Sequence, residues 1–105
     1  MREIALAPEA LQILGDVLKR TVPEADVWIY GSRVRGEARR FSDIDLAMDA
    51  GAPLSLGTLA ELRDALEASD LPYRVDLTDL ANVAPEVRAR LLTRAQRIQC
   101  PTATA

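Results

Sequence analysis

Two aspartates, Asp43 and Asp45, flank one isoleucine shortly after a Gly31-Ser32 pair. On a strand, residues two apart project from the same face, with Cα atoms about 6.6 Å apart. Carboxylates at that spacing can converge on one divalent ion or on a close ion pair. Hard oxygen donors of this kind suit Mg²⁺, which keeps several waters and shares the phosphates of a substrate. Aspartate is depleted in strands, so two on one face is a pattern that strand packing does not ask for. A bound cation would relieve the repulsion between them.

The Gly31-Ser32 pair offers the complementary half. It follows the apolar run Val27-Trp28-Ile29-Tyr30. Gly31 lets a phosphate come close to the backbone. Ser32 brings a hydroxyl and is placed to cap a helix start, where free N–H groups favour anions. Arg33, Arg35, Arg39 and Arg40 follow at once. Arg33, beside Ser32, is the phosphate candidate, whereas Arg39 and Arg40 read as a solvated loop. On these residues alone, an ordinary Gly-Ser turn and two solvated acids remain the competing interpretation.

The elements that must position these residues follow from periodicity. A helix is predicted from Pro8, a good first-turn residue, with Leu11, Leu14 and Leu18 on one face. Asp26 to Tyr30 reads as a strand ended by Gly31. Residues 33 to 42 read as a basic turn or short helix. Ile44, Leu46 and Met48 alternate with Asp43, Asp45, Ala47 and Asp49, a strand pattern with one apolar and one carboxylate face. Thr58 and Glu61 suggest a capping box for a helix buried through Leu59, Leu62 and Leu66. Tyr73 to Leu77 reads as a third strand. Pro85 opens a last helix with Val87, Leu91, Ala95 and Ile98 facing inward, and Arg90, Arg94 and Arg97 as an outer basic stripe. The predicted fold is therefore α/β (α+β), in the order α-β-α-β-α-β-α. A small mixed sheet of three to four strands is flanked by helices. The short link between the first two strands predicts that they lie close together.

Composition narrows the chemistry. The 105 residues fit one domain, predicted as 1–100 with a flexible tail at 101–105. Apolar residues make up 49% of the chain, so a packed core is expected. There is no histidine, which excludes His-based triads and His-ligated metals. The one cysteine, Cys100, supports neither a disulfide framework nor a zinc site. A net charge of −3 argues against general nucleic-acid affinity. No apolar run is long enough for a membrane span, and Met1-Arg2-Glu3-Ile4 lacks a signal-peptide pattern. A cytoplasmic protein is expected.

Gly31-Ser32, ten intervening residues and Asp43-Ile44-Asp45 resemble the signature of the polymerase-beta-type nucleotidyltransferase superfamily. The stretch from Tyr30 to Leu46 resembles its minimal prokaryotic members, the antitoxin partners of HEPN-domain toxins. The resemblance implies a third carboxylate on a later strand, and Asp76 in Arg74-Val75-Asp76-Leu77 sits where it is expected. Asp79 is the nearby competitor, placed to cap the next turn. By the same resemblance, Asp43, Asp45 and Asp76 would be catalytic and hold Mg²⁺, and Gly31, Ser32 and Arg33 would hold the phosphates of ATP. AMP would pass from ATP to a hydroxyl, a tyrosine on a cognate HEPN toxin. The alternatives are an antitoxin that neutralises by binding alone, or transfer to a small molecule as in aminoglycoside nucleotidyltransferases. Larger relatives carry an added domain for base or acceptor. Nothing here is long enough for one, so the acceptor or a second subunit would complete the site, which points to a homo- or hetero-oligomer.

Overall fold

A computed structural model describes residues 6–31 and 43–101 of the chain. The elements are α1 (Pro8–Thr21), β1 (Asp26–Tyr30), β2 (Ile44–Asp49), α2 (Leu56–Ala68), β3 (Val75–Asp79), a 3₁₀ turn (Leu80–Asn82), α3 (Pro85–Leu92) and β4 (Gln96–Gln99). The four strands form one mixed sheet in the order β3-β2-β1-β4. β1 runs antiparallel to both β2 and β4, while β2 and β3 run parallel. The first two strands are thus direct neighbours, as their short link predicts.

One face of the sheet carries the core. Leu14, Val17 and Leu18 of α1 and Leu62 and Leu66 of α2 pack with Val27 and Ile29 of β1 and Ile44, Leu46 and Met48 of β2. Burial alternates strictly along β1. The opposite face therefore presents Trp28, Tyr30, Asp45, Asp76 and Thr78. The Tyr30 hydroxyl pairs with Thr78 Oγ1 at 3.1 Å. That bond reaches from β1 to β3 across β2, and the small, fully buried Ala47 of β2 leaves room for it.

Four local expectations change. The N-cap of α2 is Ser55, whose hydroxyl accepts from the Thr58 N–H at 3.0 Å. Thr58 lies inside the first turn, so it does not cap the helix with Glu61. The third strand is Val75–Asp79, two residues later than Tyr73 to Leu77. The last helix stops at Leu92. Ala95 and Ile98 are not on it, because Gln96–Gln99 forms β4 along the edge of β1. The order therefore ends in a strand rather than a helix. The basic turn or helix expected at 33 to 42 lies outside the described residues.

The physical reason for β4 is the open edge of β1. Unpaired strand N–H and C=O groups half-covered by protein favour a partner, and Ile98 packs against the core from β4. Two further bonds pin the strand: Gln99 Nε2 donates to the carbonyls of Val22 at 2.8 Å and Ala25 at 3.2 Å. Arg97 stacks over Trp28, 5.3 Å from the ring centroid, and pairs with Asp26 at 3.5 Å. Among the described residues, no helix is long and apolar enough to cross a membrane.

Gln99→Ala removes the donor to two half-buried carbonyls. Stability should fall by about 1–3 kcal/mol, read as a lower urea midpoint at unchanged slope. A midpoint equal to the wild type's would show that the Gln99 anchor contributes nothing to the sheet.

Candidate active site

The site is built where β1 ends. Tyr30 pairs with Asp45 across the antiparallel ladder, and Asp45 pairs with Asp76 across the parallel one. Tyr30, Asp45 and Asp76 thus form one row across three strands, on the face away from the core. Neighbouring strands lie about 4.8 Å apart, so Asp45 and Asp76 are side by side on that face. Asp43 is exposed, just ahead of β2 and two residues before Asp45. The start of β2 is tied down by the Ile44 N–H, which donates to the Arg74 carbonyl at 2.9 Å.

Gly31 continues from Tyr30 with φ +79°, a conformation that side chains with a Cβ rarely adopt. A Cβ there would collide with Asp45 Oδ2 and come within 3.3 Å of its Cγ. Glycine therefore does two things at this point: it makes the turn, and it leaves the space that the Asp45 carboxylate uses.

Tyr30, Gly31 and Asp45 form one wall of an open cleft of about 530 Å³. The other wall comes from the end of α3 and the turn after it, through Arg90, Leu91, Thr93 and Arg94. Carboxylate chemistry and guanidinium chemistry thus face each other across one space. Helical spacing groups Arg90, Arg94 and Arg97 as a single stripe. The structure separates them: Arg90 and Arg94 border the cleft, while Arg97 belongs to β4 and to Trp28. Sequence reasoning makes Tyr30 only the end of a strand. Its position directly before Gly31 is the available signal that its side chain borders the site.

Asp49, at the far end of β2, binds Arg88 of α3 at 2.8 Å and accepts the Gly51 N–H at 2.9 Å. The Gly51 amide, and then the Arg88 guanidinium, hold its carboxyl below its ordinary pKa. Asp79 is committed elsewhere. It is buried, and its two oxygens accept the N–H groups of Leu54 at 2.7 Å and Ala81 at 3.0 Å. It caps the 3₁₀ turn, as its position in sequence suggests. Asp76, by contrast, is exposed on the cleft-side face. Ser32 and Arg33, the other phosphate candidates, lie outside the described residues, as do Arg35, Arg39 and Arg40.

The donor set of Asp43, Asp45 and Asp76 is all oxygen and lies on one side of the sheet, which fits a hard divalent cation that completes its shell with water and substrate phosphates. Among the described residues, no three acids stand close enough to enclose a metal by themselves. The fit is therefore one of ligand type and shared face rather than of a closed cage.

Asp45 beside the Gly31 turn, with Arg90 and Arg94 across the cleft, gives a space bordered by both anionic and cationic side chains. The family model described as Polymerase beta, Nucleotidyltransferase matches residues 14–102, and the chain belongs to that family. A Haemophilus influenzae protein named as a probable protein adenylyltransferase, MntA, is 40% identical over 86 residues, covering 82% of this chain and 75% of the relative. Among solved structures, a minimal nucleotidyltransferase is 33% identical with a TM-score of 0.67, over 87% of this chain and 95% of the other. A toxin-antitoxin crystal structure with AMP-PNP is 25% identical with a TM-score of 0.72, over 88% of this chain and 74% of the other. The fold also occurs in the complex of a tri-AMPylated Shewanella oneidensis HEPN toxin with its MNT antitoxin, at 22% identity and a TM-score of 0.60, over 86% of this chain and 72% of the other.

Gly31→Ala must adopt a left-handed backbone, at a cost of about 1–2 kcal/mol, and must push the Asp45 carboxylate aside. Stability should fall by that amount, and nucleotidyl transfer should drop about 100-fold from misplacement of one side chain. Wild-type turnover in this variant would show that the close approach of Gly31 and Asp45 has no functional weight.

The lowered pKa of Asp49 also sets a pH dependence. A depressed carboxylate contributes stability above its unfolded pKa and loses it as pH falls through the folded value. Wild type should therefore exceed Asp49→Asn in stability near neutral pH, with the gap closing below about pH 4. Both side chains of the ion pair are partly exposed, so the gap should stay under about 1 kcal/mol and shrink with salt. Chemical denaturation across pH reads it directly.

Proposed function

We propose that this chain transfers AMP from ATP to a tyrosine hydroxyl of a HEPN-domain toxin and acts as that toxin's antitoxin. The observation that carries the proposal is the row Tyr30-Asp45-Asp76, registered across three strands beside the Gly31 turn, with Tyr30 and Asp45 lining the cleft. The resemblance to a relative named as a protein adenylyltransferase supports the same acceptor class. Both ATP and such a toxin belong to the cytoplasm, which is where this reaction would run.

In this reading Asp43 and Asp45 would hold Mg²⁺, and Asp76 would complete the carboxylate set. When bound, the ion supplies charge neutralisation for the attacking and leaving oxygens. Gly31 and Ser32 receive the outer phosphates, with Arg33 beside them. The acceptor oxygen attacks the α-phosphorus in line, the bond to the β-phosphate bridging oxygen breaks, and pyrophosphate leaves. Asp76, next to Asp45 and exposed on the same face of the sheet, accepts the proton of the attacking hydroxyl. The cleft is open on its outer side, so a docked protein both presents the hydroxyl and excludes water.

The test is intact-mass spectrometry of the toxin after incubation with this chain, ATP and Mg²⁺. The expected result is a gain in whole AMP increments, absent with EDTA and absent with Asp43→Asn or Asp45→Asn. Circular dichroism of both variants should match the wild type, because neither position belongs to the core. Asp76→Asn should lower turnover far more than ATP affinity. A toxin that is inhibited while its mass stays unchanged would replace the enzyme with a binding-only antitoxin.

A further inference from the structure

The cleft has a second wall that the motif residues do not explain. α3 contributes no buried side chain, so apolar packing alone does not fasten it over the sheet. Its Val87 is exposed, although the helical pattern marks it as inward-facing. A polar link joins α3 to the sheet in the 2.8 Å pair of Arg88 with Asp49. Further along the chain, Arg90, Thr93 and Arg94 border the same space as Gly31 and Asp45.

An arginine near a helix C-terminus is often no more than a solvated charge that suits the helix dipole. That accounts for Arg90 at the end of α3. It does not account for Arg94, which lies beyond the helix and returns to the same cleft. The electrostatics of the occupant supply the reason. A triphosphate set against Asp43, Asp45 and Asp76 remains anionic even with one divalent cation bound. It would face a wall of like charge unless cations stood opposite. Guanidinium groups give two parallel N–H donors to phosphate oxygens, and their bonds to anions are short and strong.

We infer that Arg90 and Arg94 bind the polyphosphate chain of the nucleotide from the wall opposite Asp45, and that the Asp49–Arg88 pair is the clamp that positions them. The inference rests on the nucleotidyl-transfer reading of the cleft. Arg90 and Arg94 are substrate-binding residues. Asp49 touches no substrate and is a positioning residue that acts through Arg88 and α3.

The experiment is calorimetric binding of Mg-ATP, Mg-triphosphate (inorganic) and adenosine to the full chain and to the Arg90→Ala/Arg94→Ala variant, with turnover measured in parallel. Loss of two charged hydrogen bonds should weaken ATP and inorganic triphosphate by about 100-fold or more, leave adenosine unchanged, and raise KM for ATP more than it lowers kcat. The lysine double variant should recover part of the loss, since it keeps charge without the planar fork. Unchanged ATP affinity in the alanine variant, with the wild type active, overturns this inference alone. An equal loss for adenosine also overturns it, since the phosphates would then not be what the arginines read. A wild type that binds neither ATP nor triphosphate overturns the nucleotidyl-transfer reading as well.

The clamp is tested separately. Asp49→Asn should weaken ATP in the same direction by about 3-fold, and should have no further effect once Arg90 and Arg94 are removed, as expected for coupled residues. Additive losses would mean that Asp49 acts on something other than the arginine wall.

Discussion

β2 is hydrogen-bonded on both sides to partners of opposite sense, antiparallel to β1 and parallel to β3, and the site depends on that double pairing. Because side chains alternate with period two, a slip of one residue in either ladder would send Asp45 into the core and Leu46 out of it. The fully buried Ile44, Leu46 and Met48 make such a slip costly. The same apolar residues that close the core therefore fix which carboxylates meet. Tyr30 adds a tie across the strand through Thr78, and Gly31 supplies the backbone turn that leaves room for Asp45. Core packing and chemistry are two faces of a single ladder register.

The first part of the chain is legible in the sequence because its signals are local. The Pro8 start, the leucines of α1, the β1 bounds and the alternation of β2 all rest on residues within one element. The last part is not, because Val87, Leu91, Ala95 and Ile98 also fall at helical spacing. Nothing within Gln96-Arg97-Ile98-Gln99 announces a strand. Its reason lies some 70 residues away, in the unpaired edge of β1 and the carbonyls that Gln99 reaches. The α2 cap is ambiguous for a smaller reason: Ser55 and Thr58 are both good caps, and only the observed bond between them decides.

The candidate site divides in the same way. The types and spacing of Gly31, Asp43 and Asp45 suit phosphate and cation chemistry, but taken alone they also fit an ordinary turn and two solvated acids, and the resemblance to a family signature tips the reading. That Asp76 stands next to Asp45 is a property of strand pairing, which the residues between them do not encode locally. Asp79 shows why a nearby carboxylate is not interchangeable: both of its oxygens are taken by backbone N–H groups. Arg90 and Arg94 stand out in the sequence by their charge, but helical periodicity puts both on one helix, and that helix ends between them.

The pairing of β4 with β1 carries a kinetic consequence. Gln99 must find Val22 and Ala25 across 77 and 74 positions of chain, which makes this the longest loop the sheet has to close. Loop closure between such distant segments is slow relative to helix formation and to the β1–β2 pairing. The final strand should therefore zip on late, after the three central elements have met. The α3 turn that walls the cleft immediately precedes that strand, so it is drawn into place by the same late event. During folding, the carboxylate row can assemble while its cationic counterpart is still unanchored, and the two halves of the cleft become one pocket only at the last step.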